Sequence, residues 1–190
     1  MAKRFLVIEK GAGVRLRGKL RDPGPVLDGI GAYLTSQAQK AFREQGRGGE
    51  RWPARMTPNV PGIVRDLNRG ATVPSRRFTG RPALTDTGRL RQSISWRVRG
   101  KREVIVGSAL PYAEIQQRGG VQRVTLTPTG RRNLYDFLKD RPEQRGALGW
   151  LFSRPTFDIQ VRPRPFLAVT SQDQEAIRLL VSDYITDRGS

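Results

Sequence analysis

The segment from Val26 to about Glu44 constrains the fold more than any other. Its apolar residues recur at steps of three and four positions, the spacing of one face of an α-helix. These residues are Leu27, Ile30, Leu34, Ala38 and Phe42. Glycine- and proline-rich breakers bound the segment, Asp-Pro-Gly-Pro at 22–25 and Gly-Arg-Gly-Gly at 46–49. The sequence therefore predicts an amphipathic helix of about five turns, which needs an apolar surface to pack on.

Short segments with alternating polarity predict strands that supply this surface. They are 4–10, 14–20, 94–99, 104–108, 121–127 and 157–161. A glycine-containing turn separates the first segment from the second, and Gly100 opens the turn between the third and the fourth. Alternation on both sides of a short turn indicates an antiparallel hairpin.

Three further helical segments are predicted after the second hairpin, the first a short one that Pro111 opens and that stops at Gly119-Gly120. Thr129 can cap a helix that runs to about Lys139. Ser171 and Gln174 have capping-box spacing and open a final helix that ends near Ile185. The order of elements predicts an α+β fold with a mainly antiparallel sheet. The long N-terminal helix and the C-terminal helix pack on one face of that sheet, and long loops join the elements. We expect residues 1–190 to form a single domain.

The longest of these loops is expected at residues 46–83. Glycine, proline and arginine dominate the segment, and we predict an extended loop or arm. Trp52 is its large anchor and should pack on the core. A short helix at Pro61–Arg69 is compatible with the sequence. A second irregular stretch is expected at 140–156.

Residues 84–94, LTDTGRLRQSI, predict a tight corner before a strand. Thr85 or Asp86 can cap a short helical turn, with Leu90 pointing inward. Gly88 suits a left-handed or closely packed backbone position. We interpret the segment as a structural corner.

Composition argues against an enzyme. Histidine and cysteine are absent, which removes the usual general base, the commonest metal ligand and all thiol chemistry. Ser93 and Ser108 therefore lack a histidine to activate them. A metal-dependent nuclease would need several carboxylates to converge, and sequence spacing leaves that open for Asp86, Glu103, Glu114, Asp136 and Asp183. Such an enzyme should lose its activity when Asp86 or Glu114 is changed. We predict no catalytic residue, no cofactor and no metal.

The net charge of +18 and the pI near 11.5 predict contact with polyanions or with acidic protein surfaces. The basic residues are scattered, and no run of five or more occurs. An independent nucleic-acid-binding protein is the alternative function that this charge supports. No apolar run approaches the roughly 18 residues of a membrane span. The apolar stretch near the N-terminus is too short for a signal peptide, so we predict no membrane contact.

Four motifs in order carry a family resemblance. They are AFREQGRGGERWPA (41–54), LTDTGRLRQSI (84–94), VGSALPYAEIQQRGG (106–120) and RPRPFLAV (162–169). With the amphipathic C-terminal helix, this order resembles the phage virion morphogenesis, or tail completion, family of Mu-like tailed phages, over about residues 27–185. Gln116 stands where that family usually has histidine, and Arg118 where it usually has an aromatic residue. Segments 46–83 and 127–160 are longer or more divergent than the common pattern of that family. We interpret segment 127–160 as a divergent insertion.

The resemblance implies a structural protein of the virion, at the neck or tail end. Such proteins act in tail completion and head–tail joining, and tail symmetry suggests a homohexameric ring. The implied partners are further copies of the chain, the tail tube protein and the head connector or neck proteins, with some arginines facing passing genomic DNA. Assembly would take place in the host cytoplasm, and the 46–83 arm would become ordered on assembly. The residues expected to shape the structure and its interfaces are Trp52, Asp86, Thr87, Gly88, Leu90, Ser93, Tyr112, Gln116, Gly119, Arg164, Pro165 and Phe166.

Overall fold

The computed structural model describes residues 22–80, 82–100 and 103–187, and the hairpin predicted at 4–20 lies outside them. The α-helices are α1 (Gly24–Glu44), α2 (Val60–Asn68), α3 (Arg89–Gln92), α4 (Ala113–Arg118), α5 (Pro128–Lys139), α6 (Arg145–Leu148) and α7 (Ser171–Asp187). The strands are β1 (Gly46–Arg47), β2 (Glu50–Arg51), β3 (Ile94–Arg99), β4 (Glu103–Ser108), β5 (Gly120–Thr125) and β6 (Thr156–Val161). Short 3-10 helices occur at Ser75–Arg77, Pro142–Gln144 and Gly149–Phe152. The α+β fold with long N-terminal and C-terminal helices is confirmed.

The strands pair antiparallel, as separate two-stranded sheets. β1 pairs with β2 and β3 with β4, in each case the next strand along the chain, whereas β5 pairs with β6 across the intervening helices. An isolated two-stranded sheet is marginal in water. Each pair therefore depends on the helices that pack on it.

The described residues divide into two compact units. Unit 1 comprises the described parts of Met1–Trp52, Leu84–Arg118 and Pro163–Ser190, and unit 2 comprises those of Pro53–Ala83 and Gly119–Arg162. Each unit is built from segments distant in sequence and has an apolar core of its own, a long-range arrangement that local patterns do not reveal.

In unit 1, α1 packs against the β3–β4 hairpin and against α7. The predicted apolar stripe of α1 enters two core clusters. One joins Val26 and Ile30 to Ile177 and Val181 of α7. The other contains Ala38, Ala41, Phe42, Trp52, Leu90, Ile94, Ala113 and Phe166. The expected burial of Trp52 and Leu90 is confirmed.

Helix α1 approaches β3 closely at Gly31, where a methyl group would overlap the indole of Trp96. Gly29, two residues earlier on the same helix, has open space around it. We expect Gly31→Ala to lower the free energy of unfolding by about 1–3 kcal/mol because the indole must move. Gly29→Ala should raise it by about 0.5–1 kcal/mol through helix propensity. Urea denaturation of both variants tests this, and equal effects of the two would contradict the close approach.

Segment 46–83 is not an irregular loop, which corrects that expectation. It begins with the β1–β2 hairpin and contains α2. Val60, Ile63, Val64 and Leu67 of α2 are buried in the core of unit 2. Their spacing is helical, and α2 matches the short helix that the sequence allowed at Pro61–Arg69. Proline is tolerated in the first turn of a helix, and the Asn59 side chain caps α2 by accepting from the Gly62 N–H.

Segment 127–160, expected as a divergent insertion, supplies much of the core of unit 2. Leu134 of α5 and Leu148 and Leu151 of the short helices are fully buried. The stretch 140–156 is therefore largely helical rather than irregular. Helix α5 is capped by Thr127 and not by Thr129, because the Thr127 hydroxyl accepts from the Gly130 N–H at 3.0 Å.

A buried ion pair fixes the 3-10 helix Ser75–Arg77 to α2 inside unit 2. Arg77, whose side chain is 2% exposed, donates from Nε to Asp66 Oδ2 at 2.8 Å. A terminal guanidinium nitrogen donates to Asp66 Oδ1 at 3.2 Å. This bidentate geometry satisfies both carboxylate oxygens, which a buried ion pair requires.

An exposed ion pair joins β5 to β6, where Arg123 lies opposite Asp158 in the register. Arg123 donates to both carboxylate oxygens, at 2.9 and 3.2 Å. These hydrogen bonds hold the pKa of Asp158 below its ordinary value. A lowered carboxylate pKa stabilises the folded state above the ordinary pKa, and the contribution is lost as the pH falls through the lowered pKa.

We therefore expect Arg123→Gln to raise the pKa of Asp158 to the ordinary carboxylate range. Titration of the Asp158 carboxyl carbon by NMR measures this change. High salt should shrink the difference between wild type and variant because both groups are exposed. An unchanged pKa in the variant would contradict the assignment of the shift to Arg123.

Candidate interface site

The family-like motifs meet in unit 1 around the ring of Phe166. Phe166 is fully buried and contacts Phe42, with ring centroids 5.3 Å apart. Trp52 meets the same Phe42 ring edge-on at 5.4 Å, and Leu90 belongs to the same cluster. Three of the residues expected to shape the interface are therefore buried inside unit 1, where they hold the motif segments together.

The segment 84–94 forms a rigid corner. Gly88 takes the left-handed backbone conformation (φ 67°) before α3, which few other residues adopt without strain. The Thr87 hydroxyl accepts from the Arg89 N–H at 3.4 Å, and Asp86 is half-buried in the preceding turn. Buried Leu90 then anchors the corner.

Two serine hydroxyls fasten this corner to the end of β4. The Ser93 hydroxyl donates to the Leu90 carbonyl at 2.8 Å and lies 2.7 Å from the Ser108 hydroxyl. Because Ser93 has already used its proton, Ser108 is the donor between them. Ser108 also accepts from the Leu110 N–H at 3.2 Å. Both hydroxyls are thus occupied in holding the backbone.

Hydrogen bonds join helix α4 to the segment that carries Phe166. The Arg164 N–H donates to the Gln116 carbonyl at 2.8 Å, and the Arg164 guanidinium donates to the Gln116 side-chain oxygen at 3.3 Å. The Gln117 side-chain oxygen accepts from the Leu167 N–H at 3.0 Å. Gln116 therefore holds Arg164, and half-buried Pro165 follows it.

Two of the expected residues lie outside this packed cluster. Tyr112, at the start of the α4 region, is exposed (43%) and its ring is open to a partner. Gly119 has a positive φ of 73° after α4 and begins the next stretch of unit 2. Its role is to end the helix.

A buried polar network in unit 1 was not predicted. Arg47 donates to Asp173 Oδ2 at 2.7 Å, to the Ala168 carbonyl at 3.0 Å and to the Gln37 side chain at 3.3 Å. Tyr33 donates from its hydroxyl to Asp173 Oδ1 at 3.2 Å. The Arg47 and Asp173 side chains are only 9% and 2% exposed. The network ties β1 and α1 to the start of α7.

Asp173 also caps α7, which corrects the predicted cap. Its carboxylate accepts from the Thr170 N–H at 2.7 Å, and the Thr170 hydroxyl accepts from the Asp173 N–H at 3.3 Å. The capping box therefore uses Thr170 and Asp173, one residue before the Ser171 and Gln174 pair. The Thr-x-x-Asp spacing was a signal that could have identified it.

The environment of Tyr33 keeps its hydroxyl protonated. Burial is the main cause that raises its pKa, and the negative charge of Asp173 raises it further. The neutral hydroxyl can then keep donating to Asp173. The raised pKa also contributes to the stability of the folded state. This stabilisation is fully present below the ordinary tyrosine pKa and is lost as the pH rises through the raised pKa.

The described residues offer contact surfaces rather than a ligand-binding pocket. A cavity of about 50 Å³ beside Leu34, Val104 and Leu167 is far smaller than the roughly 300–1,000 Å³ of ligand sites. Among the described residues, no three acidic side chains come together to hold a metal ion. Across the same residues, no helix combines the length and apolar character needed to span a bilayer.

Exposed large apolar side chains occur on both units. In unit 1 they are Trp96, Tyr112, Leu179, Leu180 and Ile185. In unit 2 they are Met56, Val121, Tyr135 and Trp150. Both units therefore present large apolar side chains on a chain of net charge +18.

Comparison with known families identifies the class of particle to which the chain belongs. The sequence model of the phage virion morphogenesis family matches residues 10–186, and the chain belongs to that family. No curated protein and no solved structure gives a match. The chain is thus a bacteriophage virion protein with a role in particle structure or assembly.

Proposed function

We propose that the chain is a non-enzymatic structural subunit of the phage neck or tail end, required for tail completion and head–tail joining. Membership of the virion morphogenesis family over residues 10–186 is the observation that carries this proposal. The packing of unit 1 supports it, since the family-like motifs fix one another's positions. Such rigidity suits a subunit that must present the same surfaces in every copy.

The working form in this proposal is a homo-oligomeric ring with the six-fold symmetry of a tail. A ring needs two different surfaces on each subunit, one for each neighbour. Its other partners are the tail tube protein and the head connector or neck proteins. The charge of +18 suits acidic surfaces on these partners, and some arginines face DNA passing through the channel.

Native mass measurement of the purified chain, alone and with tail tubes, tests this proposal. We expect a six-fold multiple of the 21.3 kDa subunit, formed alone or on the tube end. A chain that stays monomeric under both conditions would contradict the ring.

A salt titration separates this role from that of an independent DNA-binding protein, which the net charge also supports. Binding of duplex DNA through many phosphate contacts weakens about 10³–10⁵-fold between roughly 50 and 200 mM salt. We expect only weak DNA binding, together with association with tail components that persists at physiological salt. Tight DNA binding with no association to tails would favour the alternative.

A further inference from the structure

Helix α7 is an acidic element in a strongly basic chain. Residues 171–187 contain Asp173, Glu175, Asp183 and Asp187 against a single base, Arg178. Asp173 is buried in the Arg47 network, whereas Glu175 and Asp183 are exposed. Arg178 pairs with Glu175 at 3.2 Å, so the exposed side of α7 carries two acids and one base and stays net negative on a chain of net charge +18.

These two acids flank an exposed leucine. Glu175, Leu179 and Asp183 are spaced four residues apart and so lie along one side of the helix. Leu179 is 57% exposed, and Leu180 beside it is also exposed. We call Glu175, Leu179, Leu180 and Asp183 the α7 stripe.

Helix α5 carries a surface of the opposite charge. Arg132, Tyr135 and Lys139 are three and four residues apart on the side away from the buried Leu134 and Phe137. Exposed Asp136 lies between the two bases, so this side is net positive by one charge. Tyr135 is 64% exposed, the highest value among the exposed large apolar side chains of the described residues. We call Arg132, Tyr135 and Lys139 the α5 stripe.

The two stripes match in length as well as in charge. At a rise of about 1.5 Å per residue, the acids of the α7 stripe are separated by about 12 Å along the helix and the bases of the α5 stripe by about 10.5 Å. Each stripe has an apolar side chain between its two charges. Leu179 can therefore lie on the Tyr135 ring while each carboxylate is near one cation.

We propose that the α7 stripe of one copy docks on the α5 stripe of the next copy. Contact between two α7 stripes, or between two α5 stripes, would bring like charges together. Symmetric pairing through one surface is therefore disfavoured, and a head-to-tail contact is favoured, which forms a ring when the rotation between copies closes. The inference rests on the proposed ring and names the surfaces that would form it.

Charge reversal on either stripe tests the contact. One variant carries Glu175→Lys and Asp183→Lys, and the other carries Arg132→Glu and Lys139→Glu. We expect each variant alone to be folded by circular dichroism and to be monomeric by native mass. Mixed in equal amounts, the two should form rings with both variants in a 1:1 ratio, because every contact in an alternating ring again joins opposite charges.

A matched control for the α7 variant changes the net charge by the same amount at exposed acids outside the stripes. The control chain carries Glu50→Lys and Glu143→Lys, and we expect it to assemble like the wild type. Rings formed by either stripe variant alone, or a mixture of folded variants that stays monomeric, would overturn the contact. Intact rings that no longer bind tail tubes would also overturn it, by assigning the stripe to the tube.

The wild-type chain keeps this test separate from that of the proposed function. A wild type that remains monomeric both alone and on tail tubes contradicts the ring itself. A wild type that forms rings, together with stripe variants that form them equally well, contradicts the α7–α5 contact and leaves the ring standing.

Discussion

Asp173→Ala is expected to lower the free energy of unfolding of unit 1 by about 3–5 kcal/mol. Removing one partner of a buried ion pair leaves the other as an uncompensated buried charge. Here the charge left without its partner is the guanidinium of Arg47, whose side chain is 9% exposed. The substitution also removes the acceptor for the Tyr33 hydroxyl and for the Thr170 N–H at the start of α7.

Guanidinium denaturation, followed by tryptophan fluorescence in a Trp150→Phe background, measures this loss. The remaining indoles, Trp52 and Trp96, both lie in unit 1. The protein should be dilute enough to be monomeric, so that unfolding is not coupled to assembly.

Two control variants separate the effect of burial from that of charge. Glu44→Ala breaks the exposed Lys40–Glu44 pair and should change stability by less than about 0.5 kcal/mol. Replacing both buried partners, with Arg47→Met and Asp173→Leu, should restore much of the loss because no charge is left buried. A loss below about 1 kcal/mol for Asp173→Ala would contradict the buried network.

Phe166→Ala is expected to lower the free energy of unfolding of unit 1 by about 3–5 kcal/mol. The loss is measured against the same Trp150→Phe background. Phe166 is fully buried against Phe42, so truncation removes buried apolar area and leaves a cavity. Loss of the ring should also loosen the segment that Arg164 holds against α4. Phe166→Leu should cost clearly less, since it fills part of the space.

An exposed aromatic from the same group of motifs is the matched control for Phe166. Tyr112 is 43% exposed, and Tyr112→Ala should change the stability of unit 1 by less than about 0.5 kcal/mol. Equal losses for the two variants would contradict the placement of Phe166 at the centre of the motif cluster.

Elements with strong local patterns could be predicted from the sequence. The stripe of α1 and the alternation of β3–β4 depend on residues close in the chain, and both elements form where expected. The short helix that the sequence allowed at Pro61–Arg69 forms as α2, although Pro61 and Gly62 lie among its apolar residues. Pro61 lies in the first turn of α2, where a proline is compatible with a helix.

The contacts that hold unit 1 together could not be predicted because their partners are far apart in sequence. Arg47 and Asp173 are separated by 126 residues, and nothing near Arg47 in its glycine-rich segment indicates burial. The division into two compact units depends on equally distant contacts. The order of motifs, by contrast, was sufficient to identify the family, since it does not depend on how the segments pack.

The central claim is that the chain is needed to join heads to tails. An amber codon in its gene, in a non-suppressing host, tests this by electron microscopy and plaque titre of the lysate. We predict DNA-filled heads and separate tails, with infectious particles restored when purified wild-type protein is added. Infectious virions with attached tails, formed in the absence of the chain, would contradict the account.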